Sequence, residues 1–150
     1  MRSETIIRPA RGDELAAVLR LWQKSGVTPP SVTDSIDGLT RLISEPGGIL
    51  LVAIIDGQIV GSVIGGWDGW RGNIYRLSLT PECRRRGIAR RLVAEISGAL
   101  FVKGALRLSA LVEREHRWAI DFCESLRDLG CEYDPRFARY IVDCRDGPAR

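Results

Sequence analysis

The sequence predicts an α+β domain built on one mixed, mostly antiparallel sheet, with helices on both faces. Two observations carry this. Short apolar or alternating runs of strand length are joined by tight-turn residues, above all Asp56-Gly57, the signal of a two-residue hairpin. After the third strand of the hairpin region, Ile88, Leu92, Ile96 and Leu100 recur at i+4 steps. That spacing marks an amphipathic helix, and it lies between two strands, as a crossover over one face of the sheet requires.

The elements follow in order. Thr5 to Arg8 reads as a short first strand stopped by Pro9. Asp13 opens a helix whose apolar face is Leu15, Val18, Leu19 and Trp22, ended by Gly26 and Thr28-Pro29-Pro30. A second helix starts at Asp34, carries Ile36, Leu39 and Ile43 on one side, and breaks at Pro46-Gly47-Gly48. Ile49 to Ile55 is a continuous apolar run bounded by turn residues, hence a buried strand. Gln58 to about Trp67 is its hairpin partner, and Ile74 to Thr80 is the next strand. Simple alternation puts Tyr75, Leu77 and Leu79 on one face of that strand and Ile74, Arg76 and Ser78 on the other. The amphipathic helix ends at Gly104; Leu106 to Val112 is a strand, Glu115 to Leu129 a helix closed by Gly130, and Phe137 to Val142 a last strand in a hairpin with residues near Cys131 to Tyr133. Asp146 to Arg150 is expected to fray.

A chain of 150 residues with 45% hydrophobic and 27% charged residues fits a single globular domain, residues 1–150. The net charge of +3 is too small a surplus to favour nucleic acid as a partner. The four cysteines, Cys83, Cys123, Cys131 and Cys144, lack C-x-x-C spacing, and the only histidine is His116, so no metal site is expected. The cysteines read as buried or half-buried thiols of a reducing compartment. Met1 to Pro9 lacks a signal-peptide core, and no apolar run approaches the ~20 residues of a membrane span. The expectation is a cytoplasmic protein with no membrane partner. A homodimer is left open.

The chemistry concentrates in Leu77 to Leu92, which runs from a strand through a short turn into a helix. A helix N-terminus presents unpaired N–H groups and partial positive charge, a setting in which phosphates bind. Gly87 and Ala89 let such a group approach the backbone closely. Arg84, Arg85, Arg86, Arg90 and Arg91 add charge around it. Arginines there oppose the helix dipole unless an anion compensates them. The plain alternative is a solvated helix start.

This segment resembles the acyl-CoA signature of the GNAT acetyltransferase superfamily, [R/Q]-x-x-G-x-[G/A], here Arg84-x-x-Gly87-x-Ala89. Leu77-x-Leu79-x-Pro81 is similar to the strand that precedes the signature in that family, and the order of elements matches over nearly the whole chain. The stretch Gly65 to Gly72 is similar to small stand-alone bacterial members. The resemblance implies an N-acetyltransferase that uses acetyl-CoA as cosubstrate and an amine, small-molecule or peptide, as acceptor. It implies that backbone N–H groups of Arg85, Arg86, Gly87, Ile88, Ala89 and Arg90 hold the pyrophosphate. The backbone of Leu77, Ser78 and Leu79 would pair with the pantetheine arm, and an N–H near Leu77 would stabilise the oxyanion.

Transfer to an amine needs a base, directly or through water. Candidates are Asp68, Tyr75 and Glu113; each also has a plain reading, as a turn former, a half-buried tyrosine and a solvated carboxylate respectively. Many family members carry N-x-x-A-x-x-F-Y in the later helix, the tyrosine protonating the departing thiolate. This chain has His116-Arg117-Trp118-Ala119-Ile120-Asp121-Phe122-Cys123. Ala119 and Phe122 match; His116 replaces the asparagine and Cys123 the tyrosine. Cys123 is a candidate proton donor or a small core residue. His116 could touch the CoA arm or cap the helix.

Competing readings remain. The chain has neither a G-x-x-x-x-G-K-[ST] nor a G-x-G-x-x-G motif, which disfavours other nucleotide-binding folds. A non-catalytic acyl-CoA-binding module of the same fold stays open because the usual tyrosine is missing. The acceptor amine is not specified by the fold.

Overall fold

The computed structural model describes residues 3–25 and 31–144. The chain forms two compact units, Met1–Leu111 and Val112–Arg150. The first holds a five-stranded sheet in the order β1 (Thr5–Pro9), β2 (Gly48–Ile55), β3 (Gln58–Trp67), β4 (Gly72–Leu79), β5 (Leu108–Ala110). All pairings are antiparallel except β4 with β5, which is parallel. The α+β reading is therefore correct. Helices α1 (Leu15–Lys24) and α2 (Ile36–Ser44) lie on one face and α3 (Ile88–Lys103) on the other.

The β2–β3 hairpin turns where the sequence places it. Asp56 (φ 49°) and Gly57 (φ 76°) both adopt left-handed backbone, the geometry of a turn whose twist matches the strands. β1 is an edge strand, and Pro9, which cannot donate to a ladder, is tolerated at its end opposite Leu51. The second helix begins two residues later than Asp34, because Ser35 supplies the cap: its Oγ accepts the Gly38 N–H at 2.9 Å. The residues expected to end the first helix, Gly26 and Thr28 to Pro30, lie outside the described residues, as does Asp146 to Arg150.

Leu15, Val18, Leu21 and Trp22 of α1 and Leu39 of α2 pack on Leu50, Val52 and Ile64. The opposite face of β3 and β4 carries glycines under α3. A Cβ built on Gly61 would approach Leu92 Cδ1 to 3.2 Å, and one on Gly65 would approach Ile96 Cγ1 to 2.7 Å. The helix therefore sits closer to the sheet than any larger side chain would allow. Its inward residues Leu92, Ile96 and Leu100 are completely buried. Gly104 (φ 117°) ends α3 in the left-handed conformation, where an L side chain is strained.

Among the described residues, the second unit contains α4 (Arg117–Glu124) and one 3-10 turn at Arg127–Leu129. The single helix read from Glu115 to Leu129 is thus shorter and interrupted. Gly130 (φ 84°) closes the 3-10 turn as expected. The last strand, Phe137 to Val142, does not form in the described residues. Its residues Tyr140 and Val142 are 91% and 97% exposed, and β-propensity without a paired neighbour does not make a ladder. Leu106 to Val112 shrinks to the three residues of β5.

The edge of the sheet is fastened to the start of α1 by a fork of two hydrogen bonds. Arg8 Nη1 and Nη2 donate to the two oxygens of Glu14, each at 2.8 Å, and Arg11 N–H donates to Glu14 Oε1 at 2.8 Å. The Arg8 bond, above all, holds the Glu14 carboxyl down to about 2, against an ordinary 4.5. A depressed carboxylate stabilises the fold fully above the unfolded value and loses that contribution as pH falls through the folded one. Glu14→Gln should therefore lower the urea midpoint by roughly 0.3 M at neutral pH, the scale of a partly exposed pair. Denaturation curves from pH 7 to 2 should show the gap constant above about 4.5 and closed near 2.

Candidate functional site

β4 is the strand on which the site turns. β5 pairs with it only at Gly72, Asn73 and Ile74. On the other side, β3 follows β4 to Leu79, but the register slips: Ser62 faces Ser78 and Ile64 faces Tyr75, leaving Arg76 and Leu77 together opposite Val63. This is a β-bulge. Arg76 sits there with φ 51°, a left-handed backbone costing a non-glycine residue of order 1 kcal/mol. From Tyr75 to Leu79 the edge towards β5 has no partner strand among the described residues.

The bulge corrects the alternation read from the sequence. Paired residues share a face of the sheet, so Tyr75 lies with Ile64 on the α1–α2 side, not with Leu79, which lies opposite Gly61 under α3. Tyr75 is 43% exposed there, one residue before the bulge. No signal in the strand's composition announces this; arginine is not a residue type that marks left-handed backbone.

β4 runs through Thr80 and a 3-10 turn at Pro81–Cys83 into the N-terminus of α3. The turn passes through left-handed backbone twice, at Arg85 (φ 62°) and Gly87 (φ 79°). The first hydrogen bond into the helix is Arg91 N–H to Gly87 O, 3.1 Å. The N–H groups of Ile88 and Ala89 therefore precede the helical ladder and face out of the helix end. Both side chains are buried inward, at 3% and 7% exposure, which leaves backbone at the front. Space around Gly87 is open: a Cβ there would meet nothing within 4 Å. This end of the helix is fit to receive an anionic group such as a phosphate.

The arginines divide into two kinds. Arg84 turns inward and donates from Nη2 to Ser25 O at 3.1 Å. Arg91 Nη1 donates to Thr5 O at 3.2 Å. Arg85, Arg86 and Arg90 are exposed around the turn, as is Arg91, and Arg86 Nη1 lies 3.9 Å from Cys83 Sγ. Arg84 thus joins a buried polar chain at the C-terminal end of α1. Ser25 Oγ donates to Trp22 O (3.1 Å) and so accepts from Ser78 Oγ (2.6 Å), while Trp22 Nε1 donates to Ser62 Oγ at 2.8 Å. Ser25, Ser62 and Ser78 are all buried. Of the strand positions named from the sequence, then, Ser78 points its side chain into this network and Leu79 into the core, and both leave the edge to their backbone.

Asp68 behaves as the turn former it could have been. Its Oδ1 accepts N–H groups of Trp70 and Arg71, each at 2.8 Å, and these bonds, Arg71's first, hold its carboxyl below the usual range. Trp70 is 72% exposed with the Arg71 guanidinium 4.4 Å over its ring. Glu113, His116 and Cys123 all belong to the second unit. His116 occupies the N-cap position of α4 but makes no side-chain cap bond. The Cys123 thiol is pushed up to about 11, by burial first and then by Cys131 and Glu124. Of the four cysteines, only Cys83 is buried; Cys123 is half-buried, and Cys131 and Cys144 are exposed, against the reading of all four as sheltered. No helix among the described residues is long and apolar enough to cross a membrane.

Residues 15–128 match the model of the acetyltransferase (GNAT) family. An acetyltransferase of Photorhabdus laumondii is 33% identical over 136 residues, covering 91% of each chain. One of Pectobacterium atrosepticum is 34% identical over 138 residues, covering 92% of this chain and 89% of its own. The fold is shared with an aminoglycoside N-acetyltransferase solved in complex with CoA (TM-score 0.75, 19% identity, 96% of this chain and 98% of that one). It is shared also with the PaiA N-acetyltransferase of Thermoplasma acidophilum in complex with coenzyme A (TM-score 0.72, 19% identity, 81% and 87%).

The turn before α3 yields a two-part expectation for Gly87. Gly87→Ala meets no neighbour but is strained at φ 79°, so it should cost of order 1 kcal/mol in stability. Gly87→Glu should add to that a loss of phosphate-ligand affinity of at least tenfold, by obstruction and like charge. Denaturation and calorimetric titration with CoA separate the two effects; equal CoA affinity in parent and Gly87→Glu would move the phosphate site elsewhere.

Proposed function

This chain belongs to the GNAT acetyltransferase family, and we propose that it is an N-acetyltransferase passing the acetyl group of acetyl-CoA directly to an amine. The observation that carries the proposal is the juxtaposition on one continuous segment of two open backbone features. One is the strand edge of β4 after Ile74, and the other is the helix end at Gly87 to Ala89. A ligand with an amide-bearing arm and a pyrophosphate matches that pair, the arm adding to the edge as a strand would and the phosphates meeting the helix end. The CoA complexes of the structural neighbours support the same reading.

In this proposal the N–H groups from Arg85 to Arg90 hold the pyrophosphate, with the exposed Arg85, Arg86 and Arg90 screening its charge. The backbone of Leu77, Ser78 and Leu79 aligns the arm. An N–H at the bulge, near Leu77, donates to the thioester oxygen and stabilises its developing negative charge. The amine nitrogen bonds to the carbonyl carbon, the carbon–sulfur bond breaks, and the sulfur leaves as thiolate. One proton must leave the amine and one must reach the thiolate. Tyr75, on the α1–α2 side, or Glu113 accepts the first, directly or through water. Cys123, protonated at neutral pH, or water supplies the second. Of the two readings of His116, contact with the CoA arm is the one this proposal takes, since the side chain makes no cap bond at α4. The acceptor is a small amine or a peptide amine, the former favoured by the aminoglycoside acetyltransferase among the neighbours. The enzyme works in the cytoplasm, without a metal.

Cys123 tests the mechanism. A nucleophilic thiol needs a lowered pKa, and this one is raised. Direct transfer requires both substrates in one cleft, where positioning supplies rate. Acetyl-CoA at 100 times its Kd should raise the Tm by roughly 5–10 °C. Initial rates with a reactive amine should give intersecting plots, and Cys123→Ala should keep at least about a tenth of the activity, since water can replace a weak acid. Parallel plots with an acetyl-thioester trapped at Cys123 would overturn direct transfer. Binding of acetyl-CoA without turnover across amine classes would instead mark a binding module.

A further inference from the structure

The β4 bulge is held by something, because a left-handed arginine persists only where its surroundings over-determine it. Its surroundings are specific. The Arg76 guanidinium lies over the Trp22 ring, 5.2 Å from the centroid, and Nη2 donates to Asp34 Oδ2. Both partners of this ion pair are largely sheltered, with side chains 16% and 11% exposed. Asp34 is fixed in turn: Oδ2 also accepts the Ser31 N–H at 3.0 Å, and the Asp34 N–H donates to Ser31 O at 3.0 Å. Trp22 is fixed by its bond to Ser62, the residue opposite Ser78 across the bulged pairing. The approach to α2, the end of α1 and the bulge thus converge on one side chain.

We propose that Arg76 and Asp34 are a positioning pair that holds the bulge, and so fixes the backbone at Leu77, from the α1–α2 side of the sheet. The part of this that concerns acetyl-CoA rests on the acetyltransferase reading; the part that concerns the strand does not. The pair touches neither substrate in this scheme. It acts through the backbone it constrains, and it links the side from which the amine approaches to the edge that receives the thioester.

Glycine separates this role from simple packing. Arg76→Gly loses the ion pair and the Trp22 contact but adopts φ 51° without strain. Arg76→Ala loses the same contacts and keeps the strain. The experiment is hydrogen–deuterium exchange of residues 74–79 in the ligand-free full chain, with calorimetric titration of acetyl-CoA. Parent, Asp34→Asn, Arg76→Ala, Arg76→Gly and the Arg76→Gly/Asp34→Asn double variant are compared, with Glu14→Gln as a control that loses stability away from the bulge. Asp34→Asn should speed exchange at 75–79 and weaken acetyl-CoA binding, each roughly tenfold, the scale of coupled neighbours. Arg76→Gly should retain more protection and tighter binding than Arg76→Ala, and adding Asp34→Asn to it should change either by less than about twofold. Glu14→Gln should leave both near parent values. Equal behaviour of Arg76→Gly and Arg76→Ala, or an Asp34→Asn variant that loses stability with unchanged exchange and affinity, would overturn the proposal. If Asp34→Asn does not fold, the glycine–alanine comparison decides alone. If the parent binds no acetyl-CoA, the acetyltransferase reading fails and the exchange data still judge the pair.

Discussion

Among the described residues β4 has strand partners on both sides only as far as Ile74, and most of what distinguishes this molecule depends on that interruption. A strand inside a sheet satisfies its N–H and C=O groups on both edges; a strand with one bare edge presents groups that seek a partner. Here the bare edge begins where the bulge increases the local twist. It ends where the chain turns into α3, so the exposed backbone continues directly into the open N–H groups of a helix end. Two ordinary liabilities of secondary structure thus adjoin on one segment.

The packing around that surface explains why it can be rigid. Under β3 and β4, glycines at 61 and 65 let α3 settle against the backbone, so the helix start is positioned by completely buried residues, Leu92, Ile96 and Leu100. Above them, the end of α1 is tied to β3, β4 and the turn by the Trp22–Ser62 bond and the chain from Arg84 through Ser25 to Ser78. Buried polar groups are costly unless satisfied, and once satisfied they specify a unique arrangement. The bonds that join Trp22, Ser25, Ser62 and Ser78 are such a device: they allow few alternatives for the distance between the end of α1 and the strand.

The arginine cluster is less uniform than its spelling. Arg84 and Arg91 donate to backbone carbonyls at Ser25 and Thr5, and Arg86 reaches Cys83 Sγ at 3.9 Å, so these three serve the fold even where, as at Arg86 and Arg91, they are exposed. The unfavourable meeting of arginines with the helix dipole is therefore reduced by turning part of the cluster away from the helix end. In the proposed site, recognition of an anion falls chiefly on backbone N–H groups.

The sequence by itself determined the class of fold, the Asp56-Gly57 hairpin, the inward face of α3 and its stop at Gly104. Each is a local signal: left-handed turn residues, an i+4 period, a glycine at a helix end. It overestimated the elements of the second unit, because the propensity of Phe137 to Val142 is real but a ladder needs a partner that propensity cannot supply. Only the tertiary structure decided the face of Tyr75, the division of the arginines and the meeting of Asp34 with Arg76. A single extra residue in β4 reverses the parity of everything before it, and that residue is chosen by packing against Trp22 and Asp34, which are distant in the chain. Period-two alternation records how a strand would run undisturbed; contacts across the sheet decide where it does not.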